Sequence, residues 1–321
     1  MRIHRLALIL FCSAAVSAQA APETAGPVRL THIVNSYPSP SGDGTSIVFQ
    51  SNRTGRFQVY VMKADGGAVR QLTNLGDDQG GPSFSPDGRR ILFASWRDDA
   101  AGGGCDVCLM NADGGDVRRL TTDGTDNSHP HWSADGSRII FNSSRTTPQA
   151  DRGDPKKEQD DIFSMKPDGS DLKQLTHCST ICTYASFSPD MKKIVYRKVT
   201  NTPGLNWDLS EAKRNSEVVV ANADGTAEVN ITNNAAFDGW PTWSPDGASI
   251  AFASNRGGPE NHGQIYIVRP DGTGLRRLST LPGSYVQPGW SSDGRRIFAY
   301  SSTEIGDLEW GDVVVFDAGG P

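Results

Sequence analysis

Four histidines occupy positions from which imidazole groups could bind a metal ion. His129 and His131 are two residues apart, and His32 and His177 each follow a Leu-Thr pair at corresponding points of a repeated pattern. Imidazole nitrogen is a common ligand of zinc and other transition metals. One hypothesis is therefore a metal-dependent enzyme. Against it, His32 and His177 fall half a repeat cycle apart, which leaves His129 and His131 plus an aspartate to form a site.

Four cysteines form a second chemical group, in two local pairs, Cys105 with Cys108 and Cys178 with Cys182. In an exported chain an even number of cysteines favours disulfides, and four cysteines allow three pairings. We expect two local bridges. Cys178 and Cys182 should pair more easily, because the side chains of Cys105 and Cys108 point to opposite faces if that segment is a strand. A single zinc site built from all four thiolates and four free thiols are the alternatives.

The elements that position these residues come from a sixfold repeat. The stretch 241–279 reads as four short β-strands broken at Ser244-Pro245-Asp246-Gly247 and at Pro270-Asp271-Gly272. Pro, Asp and Gly in this order favour tight hairpin turns. In every case 22 residues separate the second turn of one copy from the first turn of the next, whereas the length between strands two and three varies. The first-turn positions are Gly44, Gly88, Gly136, Met191, Gly247 and Gly294, and the second-turn positions are Gly66, Gly114, Gly169, Gly225, Gly272 and Gly319.

Apolar residues at consecutive positions of strands two and three indicate sheets buried on both faces. Six such sheets predict an all-β fold, a six-bladed β-propeller of four-stranded antiparallel blades. The last copy lacks a fourth strand, and an orphan fourth strand, Val28-Arg29-Leu30-Thr31, stands at the N-terminus. We therefore predict that this N-terminal strand completes the last blade and closes the ring.

Residues that recur in most copies are interpreted as scaffold. An arginine that ends the second strand is expected to form an ion pair or stack between blades, and an aromatic residue in the first strand is expected to pack between blades. The arginines are Arg53, Arg97, Arg145 and Arg256, and the aromatic residues are Phe84, Trp132, Phe187, Trp243 and Trp290.

Residues that depart from the repeat are candidates for function. They flank the recurring proline of each first strand, and aspartates precede three of them. Because both tight turns of a meander fall on one face of the ring, we expect these residues to surround the channel mouth on the opposite face. The predicted partner-binding residues are Tyr37, Asp78, Asp126, His129, His131, Tyr184, Trp240, Asp238 and Gln287. Trp and Tyr are enriched in protein interfaces. Local hydrogen bonding within loops is the alternative for any one of them.

Residues 1–20 have the pattern of a secretory signal peptide, with Arg2 and Arg5 before an apolar run and Ala18-Gln19-Ala20 as a cleavage site. Residues 21–27 are predicted to be a short linker and residues 28–321 the propeller. Removal of Arg2 and Arg5 takes the net charge from −6 to −8. An acidic surface argues against nucleic acid as the partner. The later sequence has no pattern typical of a transmembrane helix.

The repeat resembles that of the TolB-like propellers of bacterial envelopes. The resemblance rests on Trp-Ser-Pro-Asp-Gly, Ile-x-Phe-x-Ser, Ile-Tyr-x-Met-x-x-Asp-Gly and Arg-x-Leu-Thr elements and covers all six copies. Proteins similar to TolB carry an additional α/β domain before the propeller, whereas only residues 21–27 stand there in this sequence. The resemblance implies a periplasmic protein that binds a partner, in TolB the peptidoglycan-associated lipoprotein, at one mouth of the channel.

We therefore expect a non-catalytic, monomeric module in the periplasm, or alternatively secreted, without a cofactor or metal. Its partner would be another envelope protein or a peptide segment of one. The alternative is a metal-dependent propeller enzyme, since some lyases acting on pectic oligosaccharides resemble this chain. A purely structural role is a third hypothesis. A peptidase of the prolyl-oligopeptidase type is disfavoured, because no Gly-x-Ser-x-Gly motif occurs.

Overall fold

The computed structural model describes residues 28–29, 34–97, 104–152, 154, 157, 159–200, 215–259, 262–280, 282–302 and 311–319. The predicted signal peptide 1–20, the linker 21–27, Leu30, Thr31 and His32 lie outside these residues. The described residues form six antiparallel sheets of four strands each, arranged as the blades of a propeller, which confirms the predicted fold class.

Each blade begins with an innermost strand and proceeds outward. Blade 1 contains β2 (Asn35–Pro40), β3 (Ser46–Thr54), β4 (Arg56–Lys63) and β5 (Arg70–Gln71). Blade 2 contains β6 (Gln79–Phe84), β7 (Arg90–Arg97), β8 (Gly104–Asn111) and β9 (Arg118–Arg119). Blade 3 contains β10 (Asn127–Trp132), β11 (Ile139–Ser143), β12 (Asp161–Met165) and β13 (Lys173–Gln174), with 3-10 turns at Ser144–Thr146 and Gln149–Asp151.

The second half of the ring repeats this order. Blade 4 contains β14 (Cys182–Phe187), β15 (Lys193–Val199), β16 (Ser216–Asn222) and β17 (Val229–Asn230). Blade 5 contains β18 (Asp238–Trp243), β19 (Ile250–Ser254), β20 (Gln264–Val268) and β21 (Arg276–Arg277). Blade 6 contains β22 (Ser284–Trp290), β23 (Arg296–Ser302), β24 (Gly311–Asp317) and, as its fourth strand, β1 (Val28–Arg29).

The ring closes as the sequence predicts. Strand β1 pairs antiparallel with β24, with Val28 opposite Val315 and Arg29 opposite Val314. The first strand of the chain therefore occupies the edge of the last blade, and this pairing links the two ends of the chain through backbone hydrogen bonds.

The first turn of each blade is held by one recurring contact. A serine hydroxyl donates to the carboxylate of an aspartate two residues later, as from Ser41 to Asp43 at 2.6 Å and from Ser244 to Asp246 at 2.5 Å. The glycine that follows has a positive φ, for example 70° at Gly44 and 71° at Gly247. Met191 occupies this position in blade 4 with a φ of 61°, a backbone conformation that costs about 1 kcal/mol for a residue with a Cβ.

The recurring aromatic residues pack between blades, as predicted. Trp132 of blade 3 lies in one apolar cluster with Leu92, Val107 and Leu109 of blade 2. Trp243 of blade 5 packs in the same way against blade 4, and the indole Nε1 of Trp290 donates to the Thr242 carbonyl of blade 5 at 3.3 Å. This burial of one blade on the next supplies the apolar contacts that each sheet lacks alone.

The recurring arginines mainly contact their own blades, where the sequence led us to expect contacts between blades. Arg97 and Arg145 also reach the crossover from blade 2 to blade 3, in which Arg145 pairs with Asp123 at 3.0 Å. The Arg53 guanidinium lies 4.6 Å from the ring centroid of Tyr60 and donates to Asn35, and both partners belong to its own blade. Arg145 and Arg256 stack in the same way on aromatic pairs of their own blades. The second and third strands bring two rings side by side within one sheet, which offers the guanidinium a cation–π platform without crossing to another blade.

One of the two predicted disulfides forms. Cys178 and Cys182 are bridged, which fits an oxidising compartment. Cys105 and Cys108 are free and buried, so the prediction of a second bridge is wrong. The reason is their place on β8, where residues three apart point to opposite faces of the sheet. Cys108 packs with Val48 and Val59 of blade 1.

Within the described residues, no helix has the length and apolar character needed to span a bilayer.

Deletion of residues 21–31 should open the ring, because it removes the strand that pairs with β24 and exposes an unpaired sheet edge. We expect the melting temperature to fall by roughly 10 °C or more, and the protein to aggregate on heating. Deletion of residues 21–27, which keeps Val28 and Arg29, is the matched control. Equal melting of both variants, measured by circular dichroism, would show that the β1–β24 pair does not stabilise the ring.

The cysteines give a second prediction. Burial raises the pKa of Cys108 to about 12 and raises the pKa of Cys105 well above its usual value, so neither thiol should react in the native protein. In the chain without residues 1–20, a thiol reagent should detect almost no thiol under native conditions. It should detect two thiols in denaturant and four after reduction. Detection of no thiol in denaturant would instead indicate two disulfides.

Candidate functional site

Every inner strand carries a β-bulge at the same place. The pairing of the first and second strands shifts register between Ser36 and Ser39 in blade 1 and at the equivalent point of the other five blades. The first bulge residue has a positive φ in all six blades, and a proline or, in blade 4, Ala185 follows it. These φ values are 52° at Tyr37, 55° at Gly81, 52° at His129, 56° at Tyr184, 52° at Trp240 and 57° at Gln287.

The bulge residues converge inside the channel. The rings of Tyr37 and His129, which belong to blades 1 and 3, lie 5.9 Å apart, although these blades are not neighbours in the ring. His129 lies 4.1 Å from Tyr184, and Tyr184 lies 5.4 Å from Trp240, each distance measured between ring centroids. We call Tyr37, His129, Tyr184 and Trp240 the channel cluster. Positive φ is costly for large side chains, and here it recurs at the same position of every blade.

The channel cluster lies inside the channel and not around an open mouth, which corrects the prediction from the sequence. His129, Tyr184, Trp240 and Gln287 are each less than one-tenth exposed, and Tyr37 is half-buried. The Gln287 side-chain oxygen accepts a hydrogen bond from the Tyr37 backbone N–H at 2.8 Å. The bulge explains this inward position, because it turns one side chain of each inner strand toward the channel axis.

A hydrogen-bond network fixes the histidine of the channel cluster. Asn142 donates through its amide nitrogen to Ser128 at 3.0 Å and to the Asp160 carboxylate at 3.3 Å. Its side-chain oxygen is therefore the partner of His129 Nδ1, at 3.0 Å, which assigns the proton to Nδ1. Burial lowers the pKa of His129 to about 3, so the imidazole is neutral at physiological pH.

The two tyrosines are also neutral. Burial raises the pKa of Tyr37 well above its ordinary value and raises the pKa of Tyr184, and the two phenol groups interact with each other and with Trp240. The cluster therefore presents an aromatic surface without formal charge at neutral pH.

The three predicted aspartates serve mainly as structural groups. Asp238 is fully buried and pairs with Arg256 at 2.6 Å within blade 5. Asp78 accepts a hydrogen bond from the Phe57 backbone N–H at 2.7 Å, and Asp126 is half-buried beside Ser144. These positions anchor crossovers between blades.

A cavity of about 390 Å³ lies in front of the channel cluster. It extends from Tyr37, His129, Tyr184 and Trp240 to first-turn residues of four blades, namely Ala134, Pro189, Pro245 and Ser292. The cavity therefore faces the turn side of the ring, whereas the sequence led us to expect the site on the crossover side. No Asp, Glu, Lys or Arg is among its described lining residues.

His131 is an exposed histidine in the cavity wall. Desolvation within these walls lowers the pKa of His131 to about 4. Thr242 and Ser186 supply hydroxyl groups on the walls of blades 5 and 4.

The histidines do not gather into one group. Among the described residues, no group of three His, Cys, Asp or Glu side chains is placed to hold a metal ion. His177 lies exposed on the surface. The metal-dependent alternative requires several histidines to converge on one ion. The described histidines His129, His131 and His177 do not converge in this way.

A family model for the TolB beta propeller domain matches residues 21–154 and 205–312. The chain belongs to this family. The match confirms the resemblance inferred from the repeat, and the six blades agree with it.

Individual relatives agree with the family assignment. The Protein TolB homolog of Chlorobium luteolum is 26% identical over 281 residues, which cover 77% of this chain and 60% of the relative. The chain thus spans about 60% of the length of that relative. TolB from Acinetobacter baumannii superposes with a TM-score of 0.62 at 24% identity, covering 79% of this chain and 56% of the other.

An oligogalacturonate lyase in complex with manganese also has a similar structure. Its TM-score is 0.58 at 14% identity, and the match covers 90% of this chain and 92% of the lyase. At this level of identity the similarity shows a shared propeller fold and no more.

The bulges were missed from the sequence, although a signal for them exists. A proline recurs within the inner strand in five of six copies. Because proline cannot donate to a ladder, a proline within a strand is typical of an edge strand or of a bulge, and the inner strand is the edge of its sheet. The variable residue before it is then the one that the bulge turns toward the axis.

His129→Gln should flatten the acid dependence of stability. The folded-state pKa of His129, about 3, lies below the ordinary value, so between about pH 6.5 and 3 the unfolded chain binds a proton that the folded protein excludes. This site therefore contributes stability above pH 6.5 that is lost as the pH falls, about 5 kcal/mol in full. Gln is the natural residue at this position in blade 6. Denaturant titrations from pH 7 to 3 measure the effect.

His177→Gln, at an exposed histidine, is the control for loss of one imidazole. If wild type and His129→Gln lost stability in parallel on acidification, the buried neutral imidazole would not be the cause.

Proposed function

We propose that the chain is an exported TolB-like propeller that acts as a non-catalytic protein-binding module in the bacterial envelope. Its partner, another envelope protein or a peptide segment of one, inserts into the cavity in front of the channel cluster. The proposal moves the binding surface from the crossover side to the turn side of the ring. The observation that carries it is the cavity itself, which has an aromatic floor, hydroxyl-bearing walls and no formal charge at neutral pH.

The chemistry of the cavity supports binding more than catalysis. General acid–base catalysis needs groups that exchange protons near the working pH. Here the pKa of His129 is lowered to about 3, the pKa of His131 is lowered to about 4, and the phenol pKa values are raised. Rigid aromatic groups in a concave site, in contrast, are typical anchors for a partner.

The periplasm is the proposed compartment, with secretion as the alternative. The Cys178–Cys182 disulfide supports an oxidising environment, and the signal-like pattern of residues 1–20 supports export. We further propose that the protein acts as a monomer and uses no cofactor.

The enzyme hypothesis has a direct test. Metal content after dialysis and cleavage of pectic oligosaccharides by the purified protein are measured. One retained equivalent of manganese or zinc, together with cleavage that is lost on chelation, would favour the lyase alternative over binding.

The binding proposal predicts that His131→Ala weakens partner capture from envelope extract roughly tenfold without lowering the melting temperature by more than a few degrees. The side chain is exposed to the cavity, so its truncation leaves no buried void. His177→Ala removes an exposed histidine outside the cavity and should leave capture unchanged. Quantitative mass spectrometry of the captured proteins measures both effects.

Trp240→Ala, in contrast to His131→Ala, is expected to lower the stability of the protein. Trp240 is 5% exposed, so its truncation should cost about 3–5 kcal/mol of stability by leaving a cavity in the channel cluster. Unimpaired capture by His131→Ala, in a protein that captures partners, would place the binding surface elsewhere.

A further inference from the structure

A second depression, of about 1570 Å³, runs between blades 5 and 6 on the turn side of the ring. We call it the blade 5–6 groove. Its apolar floor comes from Ile267 and Val268 of blade 5 and from Val315 and Phe316 of blade 6. Its rim carries four arginines, Arg269, Arg276, Arg295 and Arg296.

The groove is continuous with the channel cavity. Ser244, Pro245, Trp290 and Ser292 line both. An extended chain that entered the cavity could therefore leave it along the groove without losing contact with the protein.

The second turn of blade 6, beside the groove, differs from the second turns of four other blades. In blades 2 to 5 the glycine of this turn approaches a main-chain carbonyl of the preceding blade. A Cβ on Gly114 would lie 2.7 Å from the Leu72 oxygen, and one on Gly272 would lie 3.1 Å from the Ile231 oxygen. A Cβ on Gly319, at the same position in blade 6, would meet only the Arg276 guanidinium among the described residues, at 3.9 Å.

The four groove arginines are not neutralised by ion pairs with described carboxylates. None of the four forms an ion pair with a carboxylate of the described residues, whereas seven other arginines do. All four are exposed. Arg276 donates to the Ala318 carbonyl, and Arg296 lies 5.7 Å from the Phe298 ring, so both are held at the rim.

Three aspartates also line the groove, and two of them are committed to turns. Asp246 accepts hydrogen bonds from Ser244 and from the Ala248 N–H, and Asp293 accepts them from Ser291 and from the Arg295 N–H. Asp317 accepts from the Gly319 N–H. The arginines leave the lining with a small positive excess on a chain whose net charge is −6.

We propose that the channel cavity and the blade 5–6 groove together bind one extended acidic segment of the partner protein. This inference rests on the proposed function. Uncharged apolar or aromatic residues of the segment enter the cavity, and its Asp and Glu residues meet the groove arginines while its apolar side chains cover the floor. The apolar floor favours a peptide over an acidic polysaccharide, which has no apolar side chains to place there.

A library of random twelve-residue peptides displayed on phage, selected on the purified mature protein, tests the proposed chemistry. We expect the selected peptides to have an excess of Asp and Glu in one half and uncharged apolar or aromatic residues in the other. Selected peptides without acid enrichment, or no enrichment of any peptide, would overturn the proposal.

Two charge-matched double variants locate the binding. R269Q/R295Q removes two groove arginines and should weaken a selected synthetic peptide about tenfold in fluorescence anisotropy, with a shallower salt dependence. K63Q/R89Q removes cations from the same two repeat positions in blades 1 and 2, outside the groove. It should change affinity less than twofold. Equal loss in both variants would indicate general electrostatic attraction and overturn the groove assignment.

Other anions distinguish the class of ligand. If heparin or phosphatidylglycerol vesicles competed as well as the peptide, and replacing the apolar half by Gly-Ser residues had no effect, the groove would be an anion site and not a peptide site. If His131→Ala impaired capture but R269Q/R295Q did not, the channel function would stand and the groove proposal would fall. If neither variant lost binding, both the channel proposal and the groove proposal would be wrong.

Discussion

Burial of both faces of every sheet is the constraint on which this structure depends. Strands two and three of each blade carry apolar residues without alternation, so a blade left alone would expose both apolar faces to water. Aromatic residues such as Trp132 and Trp243 bridge each blade to the one before it, and the ring form gives every blade two neighbours. At the last interface, Ile47 and Tyr60 of blade 1 pack against Phe298 of blade 6, and β1 pairs with the outer edge of blade 6. Closure thus completes the burial, and it is made by pairing the first described strand, β1, with the last, β24.

The same architecture creates the candidate site. Six inner strands face one axis, and a bulge in each turns one side chain toward it, so residues from blades 1, 3, 4 and 5 meet although they are distant in sequence. The backbone adopts positive φ at these points in every blade, at a cost repeated around the ring. The cluster is consequently rigid, neutral and aromatic. It closes the channel at that level and leaves a cavity on the side of the Pro-Asp-Gly turns.

The two proposed binding regions lie where the blades depart from perfect sixfold repetition. Glycine–carbonyl contacts hold second turns tightly on the preceding blade at several interfaces, and the end of blade 6 lacks that contact. The blade 5–6 groove joins the channel cavity through shared residues such as Trp290. The uncharged, aromatic channel cavity thus continues into a groove lined by arginines. This change from apolar to positively charged lining along one face suits an extended peptide.

The sequence by itself determined the blade number, the strand order, the seam and the scaffold role of the aromatic positions, because these follow from short-range turn chemistry and from the period of the repeat. It also determined which residues depart from the repeat. Only the tertiary structure decided where those residues go. The bulge turns Tyr37, His129, Tyr184 and Trp240 inward, strand parity keeps Cys105 and Cys108 apart, and the guanidinium of Arg53 stacks within its own blade. The physical reason is that side-chain direction and packing depend on contacts between residues far apart in the chain, which the local pattern of a single sequence does not specify.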